Sequence, residues 1–326
     1  MRRRVKAHKG LRIGITLGDI NGIGPEVVLK TLSGNAWPAD VEFALVGSAP
    51  IVEAQARAFR RAPDVLVLDP LPASSLAWKP GKIDPKASAC AAEWIRAAAN
   101  ACLAGELDAM VTAPISKEGF HRAGVDVPGH TEFLAELTGT KRYAMMLFGG
   151  PLRVVLATRH VPLARVPRLI TKATVREAIE MAARALPWLG FPRGRIAVCG
   201  LNPHAGENGD IGKEDLKVIK PVVDTMRRKG VRVSGPHPGD TVFHHAARGA
   251  FDVVVAMYHD QGLAPLKLIA FDKGVNLTLG LPIIRTSPDH GTAFDLAGKN
   301  QANPSSMTEA IRQAIALARR GNPWAR

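Results

Sequence analysis

The chain of 326 residues holds only three cysteines, Cys90, Cys102 and Cys199, with no close pair among them. That excludes a disulfide framework, a zinc ribbon and a dithiol redox motif. Aromatic residues make up 5% and only two are tyrosine, which leaves few platforms on which single-stranded nucleic acid could stack. Apolar runs are of strand length or broken by charge, far short of the roughly 18 to 20 residues that span a bilayer. Acidic residues are outnumbered, 29 against 43 basic, for a formal net charge of +14. Beyond the N-terminus the cations are scattered, with short clusters such as Arg227-Arg228-Lys229, so charge alone marks no nucleic-acid surface. Neither nucleic acid nor a membrane is an expected partner. Residues 1–10 are basic but lack the apolar stretch and cleavage site of a secretory signal. A solvated, disordered tail is expected there, and the cytoplasm is the default location.

What the chain has is enough apolar sequence, 46%, to bury a large core, and a regular alternation of segment types. Strands are predicted over 11–19, 41–47, 108–113, 143–148, 152–158, 195–200 and 252–257. Helices are predicted over 24–32, 87–104, 133–137, 174–186 and 307–319. Alternation of this kind implies an α/β protein with a largely parallel sheet. No repeat, low-complexity tract or polar linker marks a domain boundary.

Three of the strand-like runs end on histidine: Leu152 to His160, Arg195 to His204 and Phe251 to His259. Parallel strands carry functional residues at their carboxyl ends. Neutral imidazole is the commonest metal ligand, and three of them with one open position describe a catalytic divalent site. A single such histidine would more readily be read as a hydrogen-bonded residue at a sheet edge; three in one context favour the metal. Imidazole donors lean towards zinc, with magnesium, manganese and cobalt as alternatives.

Other segments carry polar groups in apolar or glycine-rich surroundings. Gly18-Asp19-Ile20-Asn21-Gly22 leads into a helix start with Pro25 and Glu26 inside it; its spacing is not that of a dinucleotide loop, and a tight turn with Asp19 facing substrate is an equal reading. At Gly129-His130-Thr131-Glu132, Thr131 either caps a helix or joins His130 in holding an anion. Lys267 and Arg285 interrupt apolar sequence and need anionic partners, either substrate or a structural carboxylate. The segment Ser287 to Pro304 is too polar and glycine-rich for core and reads as a ligand loop, in which Asp295 would accept ribose hydroxyls and repel a 2′-phosphate, favouring NAD.

Together these blocks resemble the 4-hydroxythreonine-4-phosphate dehydrogenase family of pyridoxal phosphate biosynthesis, over nearly the whole chain after residue 10. The resemblance is carried by Gly18-Asp19 with Gly22 to Glu26, by Gly129 to Glu132, Leu201 to Glu207, Tyr258 to Gly262 and Arg285 to Thr292. The last loop is also similar to the cofactor loop of isopropylmalate dehydrogenases, whose NAD-preferring members have Asp-Ile where this chain has Asp295-Leu296. The resemblance implies a two-lobed α/β fold like that of isopropylmalate dehydrogenase, with mostly parallel sheets flanked by helices and the active site in the cleft. Expected boundaries are 11–125 plus 277–326 for a cofactor lobe and 126–276 for a metal-binding, dimerising lobe. It further implies a homodimer whose active site is completed across the interface, His160 and His204 binding the divalent ion from one subunit and His259 from the other. His130, Thr131, Lys267, Asn276 and Arg285 match the family's substrate-binding positions, and His290, Gly291, Thr292, Ala293, Asp295 and Asn303 match the NAD loop. His130 or Asp240 is the candidate base, with Lys267 beside them among the catalytic candidates. The implied reaction oxidises the secondary hydroxyl of 4-phosphohydroxy-L-threonine and then decarboxylates, giving 3-amino-2-oxopropyl phosphate. Departures at Asn21 and at His237-Pro238-Gly239-Asp240 keep open the family's phosphorylated threonate or erythronate dehydrogenases and its cyclic cis-diol dehydrogenases.

Overall fold

Runs of β-branched and other apolar residues become strands here, and the alanine- and leucine-rich segments between them become the helices that cover those strands. The computed structural model describes residues 10–61, 63, 65–71 and 76–325. The chain divides into two compact units, Met1–Thr140 with Leu281–Arg326, and Lys141–Gly280. In chain order the first unit contributes β1 (Leu11–Thr16), β2 (Val41–Val46), β3 (Leu66–Leu68) and β4 (Ala109–Thr112). The second contributes β5 (Ala144–Gly149), β6 (Leu152–Leu156), β7 (Ile196–Cys199), β8 (Val233–His237), β9 (Val253–Ala256) and β10 (Val275–Leu279). The chain then returns to the first unit with β11 (Arg285–Pro288). The predicted basic tail, apart from Gly10, lies outside the described residues.

In the first unit the strands run in the order β3, β2, β1, β4, β11 and are all parallel. Ile13, Ile15, Met110 and Val111 are fully buried, as expected for strands covered on both faces. The helix Pro85–Leu103 starts with Asp84 accepting the Lys86 N–H and proline in the first turn, and its alanines pack on β1 and β4. Helix Ser305–Arg319 covers β11 and is stitched to it by the Thr286 hydroxyl donating to the Ala310 carbonyl, 2.8 Å.

In the second unit the order is β10, β5, β6, β9, β7, β8. The pairs β10/β5 and β5/β6 are antiparallel, while β6, β9, β7 and β8 are mutually parallel. Leu147, Val154, Leu156, Val254, Ala256, Leu263 and Leu266 form its core, the last two from helix His259–Ala270. Because β6, β9 and β7 are neighbours running the same way, the segments after them leave the sheet at the same end. Those segments carry His160, His259 and His204. Among the described residues no helix is long and apolar enough to cross a membrane.

Candidate active site

At the end of β1 the chain turns sharply. Asp19 is fully buried, its carboxylate accepting the Asn21 N–H (3.0 Å) and the Ser88 hydroxyl (3.1 Å), and burial raises its pKa. Asp19 therefore does not face a ligand, contrary to one reading of the sequence; it closes an Asx turn, a local bond that this residue type forms readily. The turn is pressed against the 287–304 segment: the Ile23 N–H donates to the Thr292 carbonyl (2.9 Å), and a Cβ on Gly22 would lie 2.8 Å from that oxygen. Only glycine fits there. Glu26 holds the far end of the segment, accepting Lys30 Nζ (2.8 Å) and the Ala302 N–H (2.7 Å). Between these anchors His290 Nδ1 meets the Gly291 carbonyl (3.0 Å) and Ala293 sits in the left-handed region, at φ 40°. Asp295 is exposed and takes no hydrogen bond or ion pair among the described residues, so its carboxylate is open to hydroxyl donors. Asn303 spends its Oδ1 on Ser305 N–H (3.0 Å) and Ser305 Oγ (2.7 Å), which leaves its Nδ2 as the group it offers. A shaped loop with one open carboxylate fits a dinucleotide.

β11 opens on Arg285, which is 2% exposed and directs Nε (3.0 Å) and Nη2 (2.7 Å) to the Thr112 hydroxyl at the end of β4. Burial pulls its pKa down to about 9, offset in part by Glu132, and it stays charged at neutral pH. His130 begins the helix His130–Leu137, whose N-terminus has Gly129 as cap residue and no side-chain cap. Thr131 is buried and is not the cap. His130 Nε2 is sealed from solvent with no hydrogen-bond partner among the described residues. Burial first, then the positive charges of Arg285 and Lys117, hold its imidazole well below the usual histidine range.

A stability prediction arises here. His130 and, less strongly, the half-buried His237, whose pKa burial and His245 also lower, take up protons at lower pH in the folded chain than in the unfolded one. The unfolded state then binds more protons as pH falls below about 6.5, so stability is complete above that value and declines below it. The slope approaches about 1.4 kcal/mol per pH unit for His130 and is smaller for the more solvated His237. Denaturant midpoints at about pH 7.5 and 5.5 should differ accordingly, and His130→Phe should flatten the difference; an unchanged slope would show that His130 is protonated when folded.

In the second unit the rings of His160 and His259 stand 5.5 Å apart between centroids. Their strands are tied by the Thr158 hydroxyl donating to the Met257 carbonyl, 2.7 Å. His160 is held at φ 42°, an uncommon conformation outside glycine. His259 Nδ1 contacts Asp260 Oδ1 at 2.7 Å, which leaves Nε2 for a metal; a carboxylate behind the imidazole is the usual outer shell of a ligating histidine. The pair borders a depression of about 460 Å³ lined also by Thr158, Val161, Tyr258 and Asp260.

His204 is presented differently. Residues His204 to Asn208 are all left-handed, at φ 51°, 53°, 81°, 41° and 55°, and only Gly206 among them is glycine. The turn is held by Asp215, 1% exposed, whose carboxylate accepts Leu201 N–H (2.7 Å), Asn202 N–H (3.1 Å) and Asn202 Nδ2 (2.8 Å). Gln261 links the neighbouring strand ends, donating to the Gly200 carbonyl (2.7 Å) and accepting the Met257 N–H (2.7 Å). Asp240 is exposed in the first turn of helix Gly239–Ala247, Lys267 is half-buried near the end of helix His259–Ala270, and Asn276 is half-buried on β10. Among the described residues of the single chain, no group of three or more histidine, cysteine or acidic side chains is gathered closely enough to hold a metal. The donor chemistry of His160 and His259 fits a divalent ion, and the two stand together in one chain, whereas the expected split puts His160 with His204 and His259 on the other subunit. Sequence reasoning gave no role to Lys117, Asp215 and Gln261; Asp215 and Gln261 act on backbone groups, and Lys117 lies beside Gly129 of another helix start.

Comparison with known proteins bears on the chemistry. The family model for the pyridoxal phosphate biosynthetic protein PdxA matches residues 28–314. A 4-hydroxythreonine-4-phosphate dehydrogenase from Geobacter metallireducens is 47% identical over 94% of this chain and 96% of its own length. A D-threonate 4-phosphate dehydrogenase from Pectobacterium atrosepticum is 42% identical over 94% of this chain and 99% of its own. The crystal structure of a 4-hydroxythreonine-4-phosphate dehydrogenase from Klebsiella pneumoniae superposes with a TM-score of 0.84 at 41% identity, covering 95% of this chain and all of that one.

Proposed function

Because this chain belongs to the PdxA family of pyridoxal phosphate biosynthetic proteins, we propose that it oxidises the secondary hydroxyl of 4-phosphohydroxy-L-threonine with NAD and a divalent cation, then releases the carboxyl group as carbon dioxide to give 3-amino-2-oxopropyl phosphate. The observation that carries the reading is the buried Arg285 guanidinium set near a neutral His130 whose Nε2 has no partner: an anion receptor beside a base. His130 takes the hydroxyl proton, Arg285 and Lys267 bind the substrate's anionic groups, and Thr131 and Asn276 orient it. Asp240 is the alternative base. NAD would be held by His290, Gly291, Thr292, Ala293, Asp295 and Asn303, and would supply the hydride acceptor. A divalent cation would be held by His160, His204 and His259, zinc by donor type, and would supply Lewis acidity. The first unit serves as cofactor lobe and the second as the metal-binding, dimerising lobe.

The metal set is completed across a homodimer. Leu268, Ile269 and Phe271, at the end of helix His259–Ala270, are 88%, 47% and 77% exposed, a run of large apolar surface that favours a second copy of the chain. Phe271→Glu is expected to shift the protein towards monomer in sedimentation and to lower divalent-ion affinity with it; a monomer that binds the ion as tightly as wild type would separate the metal site from assembly.

A second reading is favoured by the Pectobacterium relative: oxidation of D-threonate 4-phosphate, which carries hydroxyl instead of amine beside the carboxylate. NADH formation decides between them, measured on chelator-treated enzyme resupplied with single divalent metals and offered each phosphorylated acid in turn. Metal-restored turnover of the amino acid supports the first reading, turnover of the threonate alone the second, and turnover of neither removes both.

A further inference from the structure

Lys117 opens the short helix Lys117–Arg122, where the Ser116 hydroxyl accepts the Gly119 N–H at 2.9 Å and so fixes the start of the helix. Its side chain runs beside the uncapped N-terminus of helix His130–Leu137: a Cβ built on Gly129 would lie 3.8 Å from Lys117 Cε and 3.6 Å from Glu132 Oε2. Among the described residues Lys117 takes no hydrogen bond and no ion pair. Two full positive charges, Lys117 and Arg285, therefore act on His130 together with the positive end of a helix dipole, and Glu132 is a counter-charge to Arg285. Like charges brought together with one counter-charge repel, and an incoming anion relieves that repulsion. His130 Nε2, without a hydrogen-bond partner among the described residues, is a spare polar atom beside these charges.

We propose that Lys117 is a substrate-binding residue, which with Arg285 and the N-terminal amides of helix His130–Leu137 forms the pocket for the substrate's phosphate. The inference rests on the reading of the chain as a dehydrogenase of a phosphorylated hydroxy acid. Two cations match a group carrying about −1.5 to −2 charges better than they match a carboxylate. The phosphate also cancels the field that weakens His130 as a base. Substrate binding thereby strengthens the imidazole that takes the hydroxyl proton: the O–H bond breaks, an N–H bond forms on His130, and the base is strong only when its substrate is present.

The test uses the full-length protein with Lys117→Met and Lys117→Arg. In wild type, inorganic phosphate should inhibit competitively with the phosphorylated acid and should raise the His130 pKa followed by imidazole NMR. In Lys117→Met, KM for the phosphorylated acid and the inhibition constant of phosphate should each rise on the order of 10- to 100-fold, the loss of one charge-assisted hydrogen bond. KM for NAD should not move, the phosphate-free His130 pKa should rise because one repelling charge is gone, and Lys117→Arg should restore most of the phosphate affinity. Wild-type KM, wild-type phosphate inhibition and an unmoved His130 pKa in Lys117→Met would overturn the inference. If no phosphorylated acid is turned over by wild type, the functional reading falls, while phosphate binding and the His130 titration still decide for or against Lys117.

Discussion

Asp215→Ala is expected to weaken divalent-ion binding by about 10- to 100-fold, the range seen when the support of a metal ligand is removed, although Asp215 touches no metal itself. The reason lies in the backbone it holds. Four non-glycine residues in the left-handed region, His204, Ala205, Glu207 and Asn208, cost about 1–2 kcal/mol each, roughly 4–8 kcal/mol in all. Three charge-assisted hydrogen bonds from Leu201 N–H, Asn202 N–H and Asn202 Nδ2 to one buried carboxylate contribute about 1.5–3 kcal/mol each, roughly 5–9 kcal/mol. The two sums match within their spread, so removing the carboxylate leaves the strained turn uncompensated and His204 free to leave its position. Competition with a chelating dye measures the ion affinity, and thermal unfolding measures the stability that falls alongside. Asp215→Asn keeps the shape but sets an amide donor against the Asn202 donors, so it should fall between alanine and wild type. A protein that melts early yet binds the ion as wild type does would show that Asp215 supports the fold and not the ligand; His204→Ala, run beside it, shows whether His204 matters to the ion at all.

The strained turn also marks where sequence reading reaches its limit. That Leu152 to His160, Arg195 to His204 and Phe251 to His259 contain strands was legible, because fully buried parallel strands are written as unbroken apolar runs, although each strand stops short of its histidine. That the three strands are spatial neighbours was not legible, since β7 and β8 lie between β6 and β9 in the chain but β9 inserts between β6 and β7 in the sheet. Most of the strands passed over have local reasons for silence. β8 contains Gly235-Pro236, which ordinarily ends a strand, whereas β10 alternates Asn276 and Thr278 with apolar residues, a strand signal that was there to read. β3 is three residues long, and β11 is four, its buried Ser287 and Pro288 lying inside the segment read as a ligand loop. In the site, Asp19 shows that residue type and position do not give direction: an aspartate after a strand serves a ligand or its own turn equally well, and here the turn takes it. Asp215 and Gln261 act through backbone carbonyls and amides, which leave no trace in the identity of their partners.

Arg285→Met is expected to move stability and activity in opposite directions. Arg285 is among the largest fully buried side chains, and a buried guanidinium forgoes much of its hydration for hydrogen bonds such as those to Thr112. Methionine is long, flexible and apolar, so it fills most of the vacated volume without leaving a buried charge. Replacing a buried charged group by a well-packed apolar one is commonly neutral or stabilising, so the melting temperature should hold or rise. Turnover should not survive the change. Removing one side of a buried charge pair costs about 2–5 kcal/mol, which puts the loss in kcat/KM for the phosphorylated substrate at roughly 30- to 5,000-fold. KM should bear much of that loss, and KM for NAD should change little. The substitution also removes one of the two charges that keep His130 neutral, so the acid limb of the pH–rate profile should shift to higher pH. Such a pattern is the signature of a residue kept for its ligand at the expense of the fold. A parallel fall in melting temperature and activity, with the acid limb unmoved, would mean instead that Arg285 holds β11 to β4 and that the anion is bound elsewhere.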